Sequence, residues 1–480
     1  MQKLIPKYGV AAHLAFLAVS PLFLFPYCGE GWIASVVICL SVLAAVWMVM
    51  EPSRRSGELL FEARERVVRS LVADPLFWVF VVILLLSGIR WANGGVGMGY
   101  DAELRKWSLR GPTCSFMPGT VEGCGAYPFA GTLGAFVLAM SFRHALGKAA
   151  RMSFLFVSSF LAAIAAITAC VMAHLGVSGA VQAASAQTVI GSFAGTAFAL
   201  YFLGGLTALA GMFEIGWNKM LLLFSIAIGG TFAGAAIFLP PQLSALYMIA
   251  GIVAILVMLV YVGITHSAAD SLKCAVAILI ASLIPILLIL ALDPGVSAFE
   301  HFCAMVNADT LFAESFVRAR EVFSRIAFKE WTIHPWLGSG VGSFPLGIRF
   351  NATESDWVLI DVAQKLPTSG WWALLAERGI VGALMVALPL GFMVYSFFRR
   401  LVGAFSGGSM FVPGCFLGVI AVATLAVQSF IDPSFLAPEA VMAVAAFIAM
   451  SAASFPLVKK TAMDDTPAGD KLKGDREDGR

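Results

Sequence analysis

Long apolar runs broken by short polar stretches repeat along almost the whole chain. Windows near 8–28, 32–50, 75–91, 129–147, 152–174, 194–213, 219–239, 245–265, 274–292, 379–398, 409–430 and 439–458 are each almost free of charge. Each approaches the ~20 apolar residues that carry a helix across a ~30 Å hydrocarbon core. A segment in lipid must satisfy its backbone hydrogen bonds internally, so the pattern predicts an all-α, polytopic integral membrane bundle of about 12 transmembrane helices. The alternating ten-residue segments of an outer-membrane barrel do not occur in it.

The polar remainder is unevenly placed. Residues 1–460 read as one multi-span membrane domain, and 461–480 mix Asp, Lys and Gly without apolar periodicity, which predicts a disordered cytoplasmic tail. Segment 51–73, with interspersed Glu and Arg, reads as a solvated helical connection. Two long outer loops remain, 92–128 and 293–378. The second lies between spans nine and ten and predicts helices of its own. Ala313 to Trp331 places Phe316, Ala319, Phe323, Ile326 and Trp331 on one side of a helix. Arg318, Arg325 and Lys329 face elsewhere, and Arg320 falls at the edge of the apolar side, where a charge needs a partner. Pro335 and three glycines then force a turn.

Composition agrees with the pattern: 60% of residues are hydrophobic and 12% charged. The net charge of +2 says little about partners, and nothing calls for nucleic acid. The placement of charge says more. With the amino terminus inside, the inner segments carry 20 of the 31 Lys and Arg, and the short outer connections 29–31, 175–193, 240–244 and 431–438 carry none. This bias predicts that both termini are cytoplasmic. Lys3 and Lys7 precede an apolar core as in a signal peptide, but no small-x-small cleavage site follows, so the first span is read as retained.

The eight cysteines form no CxxC pair and no metal-ligand spacing, and no cofactor motif is present. Cys114 and Cys124 share the first outer loop, where a disulfide and free thiols are both open. The polar island from Arg318 to Gly382 carries the candidate chemistry. Arg318, Arg320 and Arg325 suit bidentate pairing with phosphate oxygens, or snorkelling to lipid headgroups. Gly338-x-Gly340-x-Gly342 lacks the strand and βαβ unit of a dinucleotide site. It reads as a tight turn whose backbone N–H groups can approach an anion or a membrane surface. Glu377 and Arg378 follow the interface anchors Trp371 and Trp372, at a depth where a carboxylate needs a partner. His334, just before Pro335, is a turn residue or a base.

Taken together these residues resemble the O-antigen ligase and O-antigen polymerase family of bacterial polysaccharide membrane proteins. That family's loop between spans nine and ten carries an Arg, then about fifteen residues, then Pro-x-x-Gly-x-Gly-x-Gly-x-Phe. Here Arg320 precedes Pro335-Trp336-Leu337-Gly338-Ser339-Gly340-Val341-Gly342-Ser343-Phe344. The family's Glu-x-Gly-[IV]-x-Gly is matched by Glu377-Arg378-Gly379-Ile380-Val381-Gly382. Gly191-Ser192-Phe193 and Thr265-His266-Ser267-Ala268-Ala269 are weaker matches. The resemblance implies a GT-C-like bundle in the bacterial inner membrane. It implies a metal-independent glycosyltransferase acting in surface polysaccharide and lipopolysaccharide synthesis. Such an enzyme moves a glycan from undecaprenyl pyrophosphate to a lipid or glycan acceptor and also contacts membrane lipids. By the same resemblance Arg318, Arg320, Arg325 and Arg378, with Gly338, Gly340 and Gly342, would hold the pyrophosphate. Arg320, Glu377 and His334 are then the candidate catalytic residues.

The chain departs from the family at three places. Leu366-Pro367-Thr368-Ser369-Gly370 stands where a His is usual, Gln187-Thr188 where an Arg is usual, and Ala268 replaces the cytoplasmic Arg. Either His334, His174, Lys365 or Asp356 supplies the missing group, or the chain is a catalytically degenerate assembly partner. A 12-span transporter or flippase is the rival from another class, but such proteins place charges near the midplane, whereas polarity here gathers in outer loops.

Overall fold

The computed structural model describes residues 30–50, 57–93, 97–101, 106–110, 127–145, 241–265, 267–292, 314–358, 369–407 and 412–433, with isolated positions between them. These residues are helical apart from one antiparallel hairpin. The predicted windows 32–50, 75–91, 129–147, 245–265, 274–292, 379–398 and 409–430 coincide with helices α1 (Glu30–Met50), α3 (Pro75–Ala92), α4 (Tyr127–Ala145), α5 (Pro241–Thr265), α6 (Ala268–Leu292), α9 (Gly370–Gly407) and α10 (Val412–Ile431). The windows 8–28, 152–174, 194–213, 219–239 and 439–458 lie wholly or largely outside the described residues. So do Cys114, Cys124, His174, Lys365, Gly191 to Phe193 and the tail.

Three described helices are long and apolar enough to cross a membrane: Pro75–Ala92, Gln242–Ile264 and Gly370–Leu388. Their outward faces fit that reading. In α5, Leu243, Tyr247, Ala250, Ala254, Met258 and Val262 are buried at helical spacing, while Ile249, Ile252, Leu256, Val260 and Ile264 are exposed. A helix that is apolar on both faces has one face for its neighbours and one for lipid. The buried face of α5 meets Leu417, Ala421, Val422 and Leu425 of α10. Helix α1 turns Ala34, Val37, Ser41 and Ala44 toward α4. Small residues there let the two backbones approach closely, as dispersion rather than water exclusion drives association in lipid.

The connection before α3 is a short helix, α2 (Leu60–Val72), whose N-terminus is closed by Glu62 Oε2 accepting the Leu59 N–H at 3.1 Å. Asp74 then caps α3, accepting the Leu76 N–H at 3.1 Å, with Pro75 at the first helical position. The same carboxylate receives Arg143 Nε at 2.5 Å and lies 3.0 Å from His144 Nε2, which ties α3 to the end of α4. Burial alone would raise its pKa, but the His144 and Arg143 contacts outweigh this and hold it at about 2.

Two findings differ from the sequence reading. The first outer loop contains strands β1 (Gly97–Asp101) and β2 (Lys106–Arg110), paired from Gly97↔Arg110 to Asp101↔Lys106. The period-two pattern is present there, with Met98 and Tyr100 in one strand and Trp107 and Leu109 in the other, but each run is only five residues long and the first is rich in glycine. The helix of the second loop, α7 (Glu314–Ile333), buries Val322, Phe323, Ile326, Ala327 and Glu330, a face rotated from the predicted one. Trp331 is only half-buried, and Glu330 takes a place in the interior. Against this face pack Phe344 and Ile348 of α8 (Phe344–Asn351), Ala376 of α9 and the rim residues Ala319 and Trp372. Helix α7 is thereby fixed on the start of α9.

Candidate functional site

Two glycine motifs far apart in sequence form one backbone unit. After α7 the chain turns at His334, whose carbonyl accepts the Gly338 N–H at 2.8 Å. Gly338, Gly340 and Gly342 have φ of 73°, 114° and 81°, a conformation that side chains disfavour. Opposite them α9 is broken at Gly379, with φ 67° and ψ −170°. A break leaves carbonyls without donors on one side and N–H groups without acceptors on the other. The turn supplies both. Ser339 and Gly340 donate to the carbonyls of Ala376 and Glu377 at 2.9 and 3.0 Å. Ile380 and Val381 donate to the carbonyls of Pro335 and Trp336 at 2.9 and 3.1 Å. The approach excludes side chains: a Cβ on Gly338 would lie 2.4 Å from Arg378 N, and one on Gly379 2.4 Å from the Trp336 carbonyl.

Arg90, in the last turn of α3, locks this junction. Its Nη2 donates to the carbonyl of Leu337 at 2.9 Å and to that of Arg378 at 3.3 Å, and the residue is buried. It was not among the sequence candidates. The available signal was a lone guanidinium at the end of an apolar span, which is costly without a purpose.

Glu377 is buried beneath the turn and accepts the backbone N–H groups of Gly342 and Phe344. Phe344 opens α8, so this carboxylate caps a helix remote in sequence. Ser343 stands at the usual capping position yet makes no cap bond. Its hydroxyl instead donates to Glu330 Oε1 at 2.6 Å. Glu330 is the second residue the sequence reading missed, although its spacing of four from Ile326 and seven from Phe323 put it on the apolar face. Burial raises its pKa, only partly offset by the hydrogen bonds from Ser343 and Ser339.

The predicted arginines separate into two kinds. Arg320 meets the partner its position required: Nη1 donates to the Ile431 carbonyl at 3.2 Å and Nη2 to that of Phe430, capping the C-terminus of α10. One turn earlier Gln428, fully buried, accepts the Tyr247 hydroxyl. Arg325 Nη2 donates to Asp356 Oδ1 at 2.5 Å, and Thr353 gives its N–H and hydroxyl to Asp356 Oδ2, each at 2.7 Å. Burial would raise the Asp356 pKa, but Thr353 and Arg325 together hold it below the usual carboxylate range. Arg320 and Arg325 are therefore built into the scaffold. Arg378 is different. Half-buried beside the break, its guanidinium takes no hydrogen bond among the described residues and feels the charges of Glu377 and Arg90. Arg318 and the ring of His334 are exposed.

The structure thus brings together Gly338, Gly340, Gly342, Glu377 and Arg378, adds Arg90 and Glu330, and gives Arg320 and Arg325 other partners. Chemically the junction offers two guanidinium groups and buried carboxylates around a backbone turn. Among the described residues no group of three or more His, Cys, Asp or Glu side chains gathers to hold a metal ion. Neither protein-family models nor curated proteins gave a match to this chain.

Proposed function

We propose that this chain is a membrane glycosyltransferase of the O-antigen ligase or polymerase type. It acts at the outer face of the bacterial inner membrane, with a GT-C-like bundle of twelve spans and both termini in the cytoplasm. It moves a glycan from undecaprenyl pyrophosphate to a lipid or glycan acceptor. The reading is carried by the interlock of Pro335–Phe344 with Glu377–Gly382: the two motifs that resemble the family are hydrogen-bonded to each other.

In such a transfer an acceptor hydroxyl attacks the anomeric carbon, and the bond from that carbon to the pyrophosphate breaks. Charge then grows on the leaving phosphate. Arg378 sits where a cation is needed, and the adjoining Arg90 both holds the turn and adds positive potential. Arg320 serves the site by fixing α7 to the end of α10. Arg325 serves by fixing α7 to the segment after α8.

Deletion of the gene, with gel profiles of surface polysaccharide, tests the reading. Accumulated lipid-linked polymer identifies a ligase, and single repeat units identify a polymerase. Arg378→Ala should fail to complement, and Arg378→Lys should restore part of the display. Normal polymer length and attachment in the deletion strain reject the proposal. Full complementation by Arg378→Ala and Glu377→Ala instead assigns the chain to a non-catalytic assembly role.

A further inference from the structure

The two buried glutamates at the junction have more in common than depth. Glu330 is 4% exposed and Glu377 6%, and they reach the same place from α7 and from the break in α9. The tripeptide Gly342-Ser343-Phe344 lies between them. Its two outer N–H groups go to Glu377 and its central hydroxyl to Glu330. Each carboxylate is left with one oxygen that has no hydrogen-bond partner among the described residues, Oε2 of Glu330 and Oε1 of Glu377. Glu330 Oε2 is pressed toward the backbone of Gly347, where an added Cβ would come within 2.4 Å of it. The two side chains are near enough for the charge of Glu330 to act on Glu377.

Two buried like charges, each with an orphan oxygen, are a costly arrangement. A single proton removes the repulsion and half of the unmet solvation at once. The charged groups that face the pair are Arg378 on α9 and Arg90 on α3. The proton also sets the charge of the junction. With both glutamates ionised, two arginines and two carboxylates leave the junction neutral. With one proton held, it keeps a net positive charge to offer an anion.

We infer that Glu330 and Glu377 form one proton-holding pair, carrying a single proton between them at neutral pH. Its use rests on the glycan-transfer reading above. When the acceptor hydroxyl forms its bond to the anomeric carbon, the ionised member of the pair takes up the hydroxyl proton. The electron pair of the broken bond leaves with the pyrophosphate. The pair becomes neutral as the leaving group gains negative charge beside Arg378 and Arg90. Glu330 acts through Glu377 and is a positioning residue.

Infrared spectra of the full chain in detergent at neutral pH test the pair directly. The wild type should show a buried carboxylic-acid carbonyl band, and both Glu330→Gln and Glu377→Gln should lose it, because the lone remaining carboxylate ionises beside two arginines. A wild-type spectrum without the band, or a band that survives in either variant, overturns the pair. If a glutamine variant fails to fold, Glu330→Asp and Glu377→Asp replace it: each should shift the band in frequency, and a band unmoved by either overturns the pair. In membranes, Glu377→Gln should slow transfer ~100-fold or more. Glu330→Gln should displace the pH profile of transfer, and an unmoved profile overturns its role. Failure of the transfer reading itself is seen separately, as normal polysaccharide in the deletion strain.

Discussion

Gly340 donates its N–H to the carbonyl of Glu377 at 3.0 Å, closing a gap that α9 cannot close by itself. This bond and its three neighbours replace the missing turn of helix around Gly379. The glycines there are demanded by geometry, because both chain segments approach backbone to backbone.

Gly379→Ala is the sharpest test of that demand. Its φ of 67° with ψ of −170° lies in a region essentially reserved for glycine and costs roughly 1–3 kcal/mol for an L side chain. The new Cβ would also meet the Trp336 carbonyl, which cannot swing away as a side chain can. Thermal unfolding in detergent should show a clear loss of stability. Gly391→Ala is the control: a Cβ there meets nothing within 4 Å, and the midpoint should hold or rise.

Arg90→Ala should loosen the junction without disturbing α3. Charge-assisted hydrogen bonds of this kind contribute about 1.5–3 kcal/mol when buried. Hydrogen exchange should speed up at the amides of Ser339, Gly340, Ile380 and Val381, while the amides in the middle of α3 keep their protection. Arg90→Lys should rescue only part of it, since one ammonium does not reproduce the guanidinium fork. Unchanged exchange at all four amides refutes the locking role.

The Asp74 cluster gives stability a definite acid limb. Its folded pKa of about 2 lies below the 3.8 of a free aspartate, so its contribution is complete above the unfolded pKa and is lost as pH falls through the folded one. The separation corresponds to about 2 kcal/mol. Asp74→Asn should remove that quantity at neutral pH and flatten the stability profile between pH 4 and 2, measured as the unfolding midpoint.

Arg320 and Arg325 should respond unequally to removal. Arg320→Met strips the cap from α10, and exchange should quicken at the amides of Phe430 to Asp432. A double-mutant cycle on Arg325 and Asp356 should give a coupling of only about 0.5–1 kcal/mol, because the Arg325 side chain is 46% exposed. A coupling well above that range contradicts the assignment of Arg325 as a solvent-screened brace.

The sequence made some of this legible and hid the rest for physical reasons. Apolar windows located seven described helices because span length is set by the bilayer, a constraint blind to tertiary detail. The need of Arg320 for a partner was readable from its place at the edge of an apolar face. Its partner was not, because the carbonyls of Phe430 and Ile431 carry no side-chain signature. Arg90 and Glu330 were visible as charges in apolar patterns, yet their roles depend on contacts across 247 residues for one and 13 for the other. The hairpin at Gly97–Arg110 escaped because its alternation of Met98, Tyr100, Trp107 and Leu109 with small or polar residues runs for only five positions in each strand, and glycine is a poor strand former.

The break at Gly379 also bears on how the chain is assembled. Ile380 and Val381 donate to the carbonyls of residues 335 and 336, and the carbonyls of Ala376 and Glu377 accept from 339 and 340. A helix inserted into a bilayer without residues 335–340 docked on it would carry these four groups unpaired at its mouth. Completion of α9 therefore waits on the loop made before it, and the loop in turn waits on Arg90 of a much earlier span. The junction therefore closes only once residues 376–381 have been made, with two earlier segments already waiting for them.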